Sequence, residues 1–502
     1  MEGEVLIVGA GPTGLAMAVG LEQKGIPFRI IDKAVGPGEE SRAMVVHART
    51  LELYDQFGLA GEMIDKGIIA DNVAIFNDGR KRGNIPFDNI GKGLSPFPFV
   101  LSLPQDVHER IVIHYLQTKN IEVEWNRELL HYEETDSSVK AVISVGDERE
   151  MAEYSYLCGC DGPGSSVRKQ MGYDFPGGTY EEVFFVADVM SNSEADGVQV
   201  HMSKEGFALV LPVRTSGSLR IIGLVPGQAG QRKEDACYGD VSDYVENHAG
   251  IETQTINWFS TYKVHHRVSE HFRRGRVFIG GDAAHIHSPA GGQGMNTGIG
   301  DAMNLSWKLA EVIEGGMDAE ILDSYEQERI PFARLLVRTT DQVFKGMIAD
   351  NPVSDAVRDL FMPAMAPALT RFNAVQRTMF RLVSQIHIDY EDSMLSRGSA
   401  GKLKSGDRLP WVKYGDSDNY VPLAGAEFHY QLYGQTSAYM RRFMQRSSFA
   451  LHEFNWTAAA RKAGISKNTV MFIRPDGYIA IIADDNNVER FFEYEKTFMN
   501  ED

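Results

Sequence analysis

The sequence predicts a mixed α/β fold: a parallel sheet interleaved with an antiparallel one, then a helical stretch and a separate C-terminal unit. Three observations carry that prediction. Short apolar runs ending in glycine-rich turns recur at Val5–Val8, before Gly159 and before Gly280, as buried parallel strands do. Between the last two, residues 176–265 change to alternating runs such as Glu182–Asp188 and Phe207–Pro212, the period of a mainly antiparallel sheet. A polar, Gly/Ser/Lys-rich stretch, Gly401–Asp407, reads as a hinge and boundary ahead of a strand–turn–strand pattern over 470–482.

The first run sets the chemistry. Val5–Val8 leads into Gly9, Gly11 and Gly14 at G-x-G-x-x-G spacing, with Thr13 inside the turn. Gly9 permits the tight turn, Gly11 lets a pyrophosphate approach the backbone, and Gly14 lets the next helix sit close to the sheet. That helix runs through Leu15–Leu21 and stops near Gly25. A second strand, Phe28–Ile31, ends in Asp32, 18 residues beyond Gly14 (32 − 14), where a carboxylate accepts hydrogen bonds from ribose hydroxyls. Strand, glycine turn, helix and acid together predict a Rossmann-like, dinucleotide-binding start.

Arg42 follows in a polar loop as a charge partner for a diphosphate, ahead of a helix over Arg49–Tyr54. Residues 68–100 read as short strands and a loop carrying Phe76, Phe87, Phe97 and Phe99, an edge that either lines a pocket or joins the core. Leu103-Pro104-Gln105 leads into an amphipathic helix, Asp106–Gln117; Val123–Trp125 reads as a strand, and antiparallel strands run from Leu129 to Met151. Tyr154–Cys160 is a strand ending in Asp161-Gly162 ahead of a helix start at 164–168. That places an acid at the carboxyl edge where α/β sheets bind ligands. Arg276–Ile279 again ends in glycine and acid, Gly281-Asp282, followed by a glycine-rich loop, Ser288–Asn296, and a long helix from about Thr297 to Glu314. Its amides and positive dipole end stabilise negative charge on a bound group. Residues 319–400 read as mostly helical, with Met362, Met365, Met379 and Phe380 as a core stripe.

At 502 residues the chain is too long for one compact core, so two or three domains are expected. A formal charge of −19 disfavours nucleic acid or an anionic membrane as partner. The acidic start Met1–Glu4 shows no signal-peptide pattern, and no apolar run approaches the roughly 20 residues that span a bilayer. Three cysteines in so long a chain fit a reducing compartment, and a cytoplasmic location is expected. Cys158-x-Cys160 has no second cysteine pair or histidine cluster beside it and reads as buried strand; no metal site is expected.

Taken together, in this order and at these separations, the three glycine–acid segments resemble the class A flavoprotein monooxygenases, with the p-hydroxybenzoate hydroxylase fold. The likeness covers essentially the whole chain. Gly9-x-Gly11-x-x-Gly14 resembles that family's first FAD motif, and Cys160-Asp161-Gly162 with Ser166-x-x-Lys169 its Asp-Gly motif. Gly281–His285, with Pro289 and Gly294-Met295-Asn296, resembles its second FAD motif. The resemblance implies roles by position. Asp32, with Lys33 beside it, holds the adenosine ribose, where the family more often has Glu. Arg42 and Gln105 bind the diphosphate and ribityl region, and Leu129 meets the adenine through its backbone. Asp161 is tied to FAD and the nicotinamide cofactor, and Asp282 binds the ribityl or diphosphate part. Pro289 faces the reactive N5/C4a edge, and the amides of Gly294, Met295 and Asn296 sit against the pyrimidine end.

The same likeness implies an FAD-binding domain from 1–175 with 266–345, a substrate-binding sheet domain over 176–265 to which 68–100 contribute, and a helical connection over 346–400. Residues 401–502 resemble the thioredoxin-like tail of the larger phenol and polyketide hydroxylases. They contain no cysteine, so dithiol exchange is excluded and a packing or homodimerisation module is implied. The implied reaction consumes NADPH or NADH and O2. A flavin C4a-hydroperoxide passes its distal oxygen to a phenolic or fused-ring aromatic substrate. His201, Tyr262 and His265 are the candidates to deprotonate a phenol. A Baeyer–Villiger or epoxidising reaction on a polyketide-like metabolite, and a non-catalytic flavin-binding protein, stay as alternatives. The Trp-x-Trp-x-Ile-Pro stretch of the halogenases is absent.

Overall fold

The computed structural model describes residues 4–38, 43–70, 72–77, 79–86, 90–192, 197–203, 206–226, 233–288, 291–348, 373–483 and 488–500. Val5–Val8 pairs in parallel with Phe28–Ile31 on one side and Tyr156–Gly159 on the other, and Tyr156–Gly159 pairs in parallel with Val277–Ile279. Every residue of Val5–Val8, Tyr156–Gly159 and Val277–Ile279 is buried. That is why these runs are apolar without alternation. Helix Pro12–Gln23 packs against helix Gly294–Ile313, closely enough at Gly20 that a Cβ would strike the Ser306 side chain. The glycine turns after Val8, Gly159 and Ile279 therefore share one edge of one sheet.

Two expectations are corrected here. Val123–Trp125 is not a strand: only Glu124 pairs, in a single bridge to Ile31. The left-handed Asn126 (φ 54°) turns the chain away two residues later. The long helix begins at Gly294, three residues before Thr297, so that glycine opens the helix.

The second layer is an eight-stranded sheet. Its spatial order is His285–Ile286, Thr253–Val268, Gly177–Ser191, Leu219–Leu224, Gly206–Pro212, Val198–Ser203, Asn72–Asn77, Arg80–Pro86. Asn72–Asn77 joins by parallel pairing with Val198–Ser203, so residues near 68–100 do supply strands to it. One face packs on helix Tyr238–Asn247 through Phe185, Val210, Val241 and Tyr244. The other packs on Met44 and Val45 through Phe184, Val186, Leu211 and Ile222.

Helices Asp323–Ile348 and Asn373–Val383 follow, and then the left-handed Gln385 (φ 59°) ends the helical stretch well before residue 400. Phe380 is fully buried beside Ile90 and Leu94; Met362 and Met365 lie outside the described residues. The C-terminal unit is a thioredoxin-like four-stranded sheet in the order Ala450–Phe454, His429–Tyr433, Thr469–Ile473, Ile479–Ala483, with one parallel pair. Helices Ala438–Arg446 and Val488–Phe498 cover one face, in a core continuous with Trp307 and Ile321. Gly401–Asp407 is not a loose hinge. Ser399–Ala400 pairs with Leu403–Lys404, and Gly406 donates to Ile479 O (2.7 Å) while accepting from Tyr390 N (2.9 Å). No helix among the described residues is long and apolar enough to cross a membrane.

Candidate cofactor and substrate site

Crowding defines the first glycine turn. Gly9 has φ +105°, and a Cβ there would fall on the Cys160 carbonyl; one on Gly14 would fall on the carbonyl of Gly9. Gly11 has open space where its Cβ would stand, which leaves the amides at the start of helix Pro12–Gln23 approachable by an anion. Asp32 is fixed at the mouth of this turn: Oδ2 accepts from Ala10 N (2.7 Å) and Oδ1 from Ala34 N (2.8 Å). Lys33 beside it is exposed. Arg127 N donates to Asp32 O (2.9 Å), which brings the buried Leu129 to the same end. Gln105 opens helix Gln105–Thr118 and donates to Glu109 Oε1 (2.8 Å). Burial pushes the Glu109 carboxyl up to about 7, against the lowering effect of that hydrogen bond.

The other two acids differ in use. Asp161 Oδ2 accepts from Ser166 N (2.7 Å) and Val167 N (3.2 Å) at the start of helix Ser166–Met171. Its Oδ1 is buried with no hydrogen-bond partner among the described residues, an arrangement that costs about 1–3 kcal/mol until a donor arrives. Asp282 is exposed in the turn Gly281–Ala283. That turn packs on the first one: a Cβ on Gly281 (φ +59°) or on Gly298 would strike Thr13.

Asn296 ties the second glycine loop down. Its Nδ2 donates to Val45 O (2.8 Å) and Gly292 O (2.9 Å), and its Oδ1 accepts from His47 N (2.8 Å) and Thr50 Oγ1 (2.7 Å). Gly292 (φ +63°) sits so close to Val45 that a Cβ would meet it at 2.9 Å. Gly294 and Met295 form the first turn of the long helix, and Met295 packs on the main core. His47 and His287 flank this loop. Burial pushes both down to about 4, so both rings are neutral near pH 7. Arg42 and Pro289 lie outside the described residues.

Beneath the loop lies a charge cluster that sequence reasoning missed. Asp301 accepts from Gly281 N (2.9 Å), pairs with His285 Nε2 (2.6 Å) and accepts from Arg329 Nε (2.6 Å). Burial opposes ionisation of Asp301, but Arg329 and His285 outweigh it and hold the carboxyl at about 2. A signal was present: Thr297, Asp301, Asn304 and Lys308 form a polar stripe at helical spacing in a largely apolar helix. The partners on helix Asp323–Ile348 were invisible without the fold.

The candidate substrate surface is the sheet face that meets Val45. Pairing puts Tyr262, Phe184 and Leu224 on that face together with Trp258, Asp188, Arg220 and Leu211. Phe184 stacks on Tyr262 with centroids 5.6 Å apart. Arg220 grips Asp188 with two bonds, Nε–Oδ1 2.7 Å and Nη2–Oδ2 2.6 Å, and lies 5.8 Å from the Trp258 ring centroid. His201 is on the opposite face. It pairs in register with Ala208, stacks on Phe76 (4.4 Å) and bonds Gln199 Oε1 (2.9 Å). The sheet thus separates His201 from Tyr262. His265 bonds Thr179 Oγ1 (2.7 Å) at the edge of the same long strand.

The residues present fit a flavin dinucleotide. An open glycine cradle, a fixed acid at the end of the second strand, an orphaned buried carboxylate oxygen and a helix start meet at one sheet edge. Comparison with known proteins agrees. The family described as FAD binding domain matches residues 2–340. The 6-methylpretetramide 4-monooxygenase of Streptomyces rimosus is 34% identical over 407 residues, covering 79% of this chain and 71% of that protein. A flavin-dependent monooxygenase of Mycobacteroides abscessus is 31% identical over 509 residues, covering 96% of this chain and 97% of its own. Among solved structures, CabE, an aromatic hydroxylase from angucycline biosynthesis, superposes with a TM-score of 0.79 at 26% identity over the whole of both chains.

Proposed function

The chain belongs to the FAD binding domain family and is a flavin-dependent monooxygenase of the aromatic hydroxylase type; from that premise we propose that it hydroxylates a phenolic or fused-ring aromatic substrate, using NADPH or NADH and O2. Val45 carries this reading. It touches Gly292 of the second glycine loop on one side and the aromatic face of the sheet on the other. A flat ring lying on that face therefore abuts the loop that would bear the flavin edge.

Gly9, Gly11, Thr13 and Gly14 would hold the pyrophosphate, with Asp32, Lys33 and Gln105 toward the adenosine and ribityl parts and Leu129 against the adenine. Asp161 and Asp282 would close the cradle, and the Gly294–Asn296 amides would face the pyrimidine end. When bound, FAD accepts two electrons from the nicotinamide cofactor and activates O2. The protein's own work is orientation and exclusion of water. Phe184 and Trp258 supply flat apolar surface. Tyr262, half-buried on the same face, is placed to hydrogen-bond a substrate hydroxyl, and we assign it rather than His201 to that task.

The test is a panel of phenols and fused-ring aromatics with the purified, FAD-loaded protein. One or more should stimulate NADPH or NADH oxidation and gain one oxygen atom by mass spectrometry. NMR of the product separates a new ring hydroxyl from a ring-inserted oxygen. A flavin-loaded protein that oxidises neither nicotinamide cofactor with any aromatic on the panel sinks the proposal.

A further inference from the structure

Besides the packing of Phe428 on Trp307, one hairpin turn of the C-terminal unit makes polar contacts with helix Gly294–Ile313. Residues 474–478 join strands Thr469–Ile473 and Ile479–Ala483. Arg474 is 1% exposed. It grips Glu328 with two bonds (Nη1–Oε1 2.7 Å, Nη2–Oε2 2.9 Å) and Asp476 with two more (Nε–Oδ1 3.0 Å, Nη2–Oδ2 2.6 Å). Asp476 Oδ2 accepts from Trp307 Nε1 (3.2 Å), and Glu328 Oε2 accepts from Asn304 Nδ2 (2.6 Å) and Lys308 Nζ (2.8 Å). Trp307, Asn304 and Lys308 all belong to helix Gly294–Ile313.

The grip is continuous with the loop. Glu328 is followed by Arg329, which holds Asp301 and donates to Thr297 O (3.1 Å) on the same helix. Asp301 in turn holds the Gly281 amide beside Asp282. On the other side, Asp476 O accepts from Arg49 Nη2 (2.5 Å). Arg49 sits on helix Ala48–Asp55, whose Thr50 holds Asn296. One turn of the C-terminal unit therefore touches both elements that flank the second glycine loop.

Stability alone does not explain such a cluster. Two acids, Glu328 and Asp476, balance two bases, Arg474 and Lys308, all of them buried. Replacing buried ion pairs by apolar residues of similar size is often neutral or stabilising, because desolvation offsets the attraction. What a bidentate, fully partnered cluster supplies is a fixed geometry.

We propose that the Arg474–Asp476 turn sets the axial register of helix Gly294–Ile313, and with it the height of the Gly294–Asn296 amides against bound FAD. Arg474 is then a positioning residue for the cofactor, and the C-terminal unit is a register clamp for the flavin domain. The inference rests on FAD binding and not on the identity of the substrate, so its failure would leave the hydroxylase reading untouched.

Full-length apoproteins are compared by FAD titration, read as quenching of flavin fluorescence, and by apoprotein melting temperature. The double variant Glu328→Leu/Arg474→Met removes one pair and keeps the cluster neutral. The control, Phe491→Leu, weakens the same C-terminal core away from the turn. The double variant should raise the FAD Kd about tenfold or more, with a melting temperature no lower than the control's, because sub-ångström misplacement is costly in affinity and rate. Phe491→Leu should keep the wild-type Kd. Arg474→Lys keeps the charge but loses the fork and should give an intermediate Kd. The proposal is overturned if the double variant binds FAD within about twofold of wild type, or if Kd tracks melting temperature alike in variant and control. Should the double variant not fold, an unchanged Kd in Arg474→Lys overturns it.

Discussion

The two faces of the eight-stranded sheet are built from alternate residues of the same strands, yet they carry opposite duties. Phe185 and Phe184 are neighbours in one strand. Phe185 points into the core under helix Tyr238–Asn247, and Phe184 points toward Met44, Val45 and Tyr262. The covered face is largely aliphatic and aromatic, and the pairing also puts Gln199, His201, Ser203, Thr261 and Lys263 on it. The open face mixes aromatic rings with the paired charges of Asp188 and Arg220. A strand's two-residue period therefore sorts the packed core to one side and the proposed substrate surface to the other. A residue's role follows from its parity before its chemistry.

That division can be broken by substitution, beginning on the covered side. Phe185→Ala should cost about 3–5 kcal/mol, as large-to-small changes in a packed core do. Urea unfolding should show the loss, while substrate KM and FAD Kd in the folded fraction stay unchanged. On the open face, Arg220→Met strands the Asp188 carboxylate and should cost about 3 kcal/mol. Unlike Phe185→Ala, it should also raise substrate KM; equal KM in the two variants would erase the distinction between the faces.

His201 sharpens the contrast through pH. Burial pushes its folded-state value down to about 4. As pH falls, the unfolded chain takes up the proton first. The stability that goes with the neutral ring is complete above about pH 6.5 and drains away toward pH 4. Between pH 7 and 5 that amounts to about 2 kcal/mol. His201→Gln should flatten the pH dependence of the unfolding free energy by that amount and leave the pH profile of kcat unmoved. A shifted kcat profile would put His201 back among the catalytic candidates. The smallest effect on stability belongs to Tyr262→Phe, below about 1 kcal/mol since only a half-buried hydroxyl is lost. Its signature should instead be a several-fold rise in KM for phenolic substrates.

Much of the molecule was legible from the chain. Unalternating apolar runs before Gly9, Cys160 and Gly280 read as buried parallel strands because both faces of that sheet are covered. Val123–Trp125 misled because it carries the strand-favouring residues Val123 and Trp125 around Glu124, and the left-handed Asn126 shows that the strand cannot continue. Gly401–Asp407 misled because its composition is that of a linker. Its order comes from hydrogen bonds to Tyr390 and Ile479, which no local pattern records. Among the candidate site residues, Asp32 and Gly11 could be placed at the glycine turn from sequence because glycine spacing and strand ends fix their geometry locally. Asp301, Glu328 and Arg474 were not, since each is defined by a partner far away in the chain.

The amino-acid order by itself determined the parallel core, the glycine turns with their acids, and the division into α/β, antiparallel and C-terminal units. These depend on backbone sterics and on periodicities a few residues long. Only the tertiary structure decided which face of the antiparallel sheet carries His201, how the charges of the long helix are neutralised, and that a C-terminal hairpin closes on helix Gly294–Ile313. Those outcomes turn on the desolvation of groups brought together from well over a hundred residues apart. A charge acquires its meaning only when its neighbours and its distance from water are known.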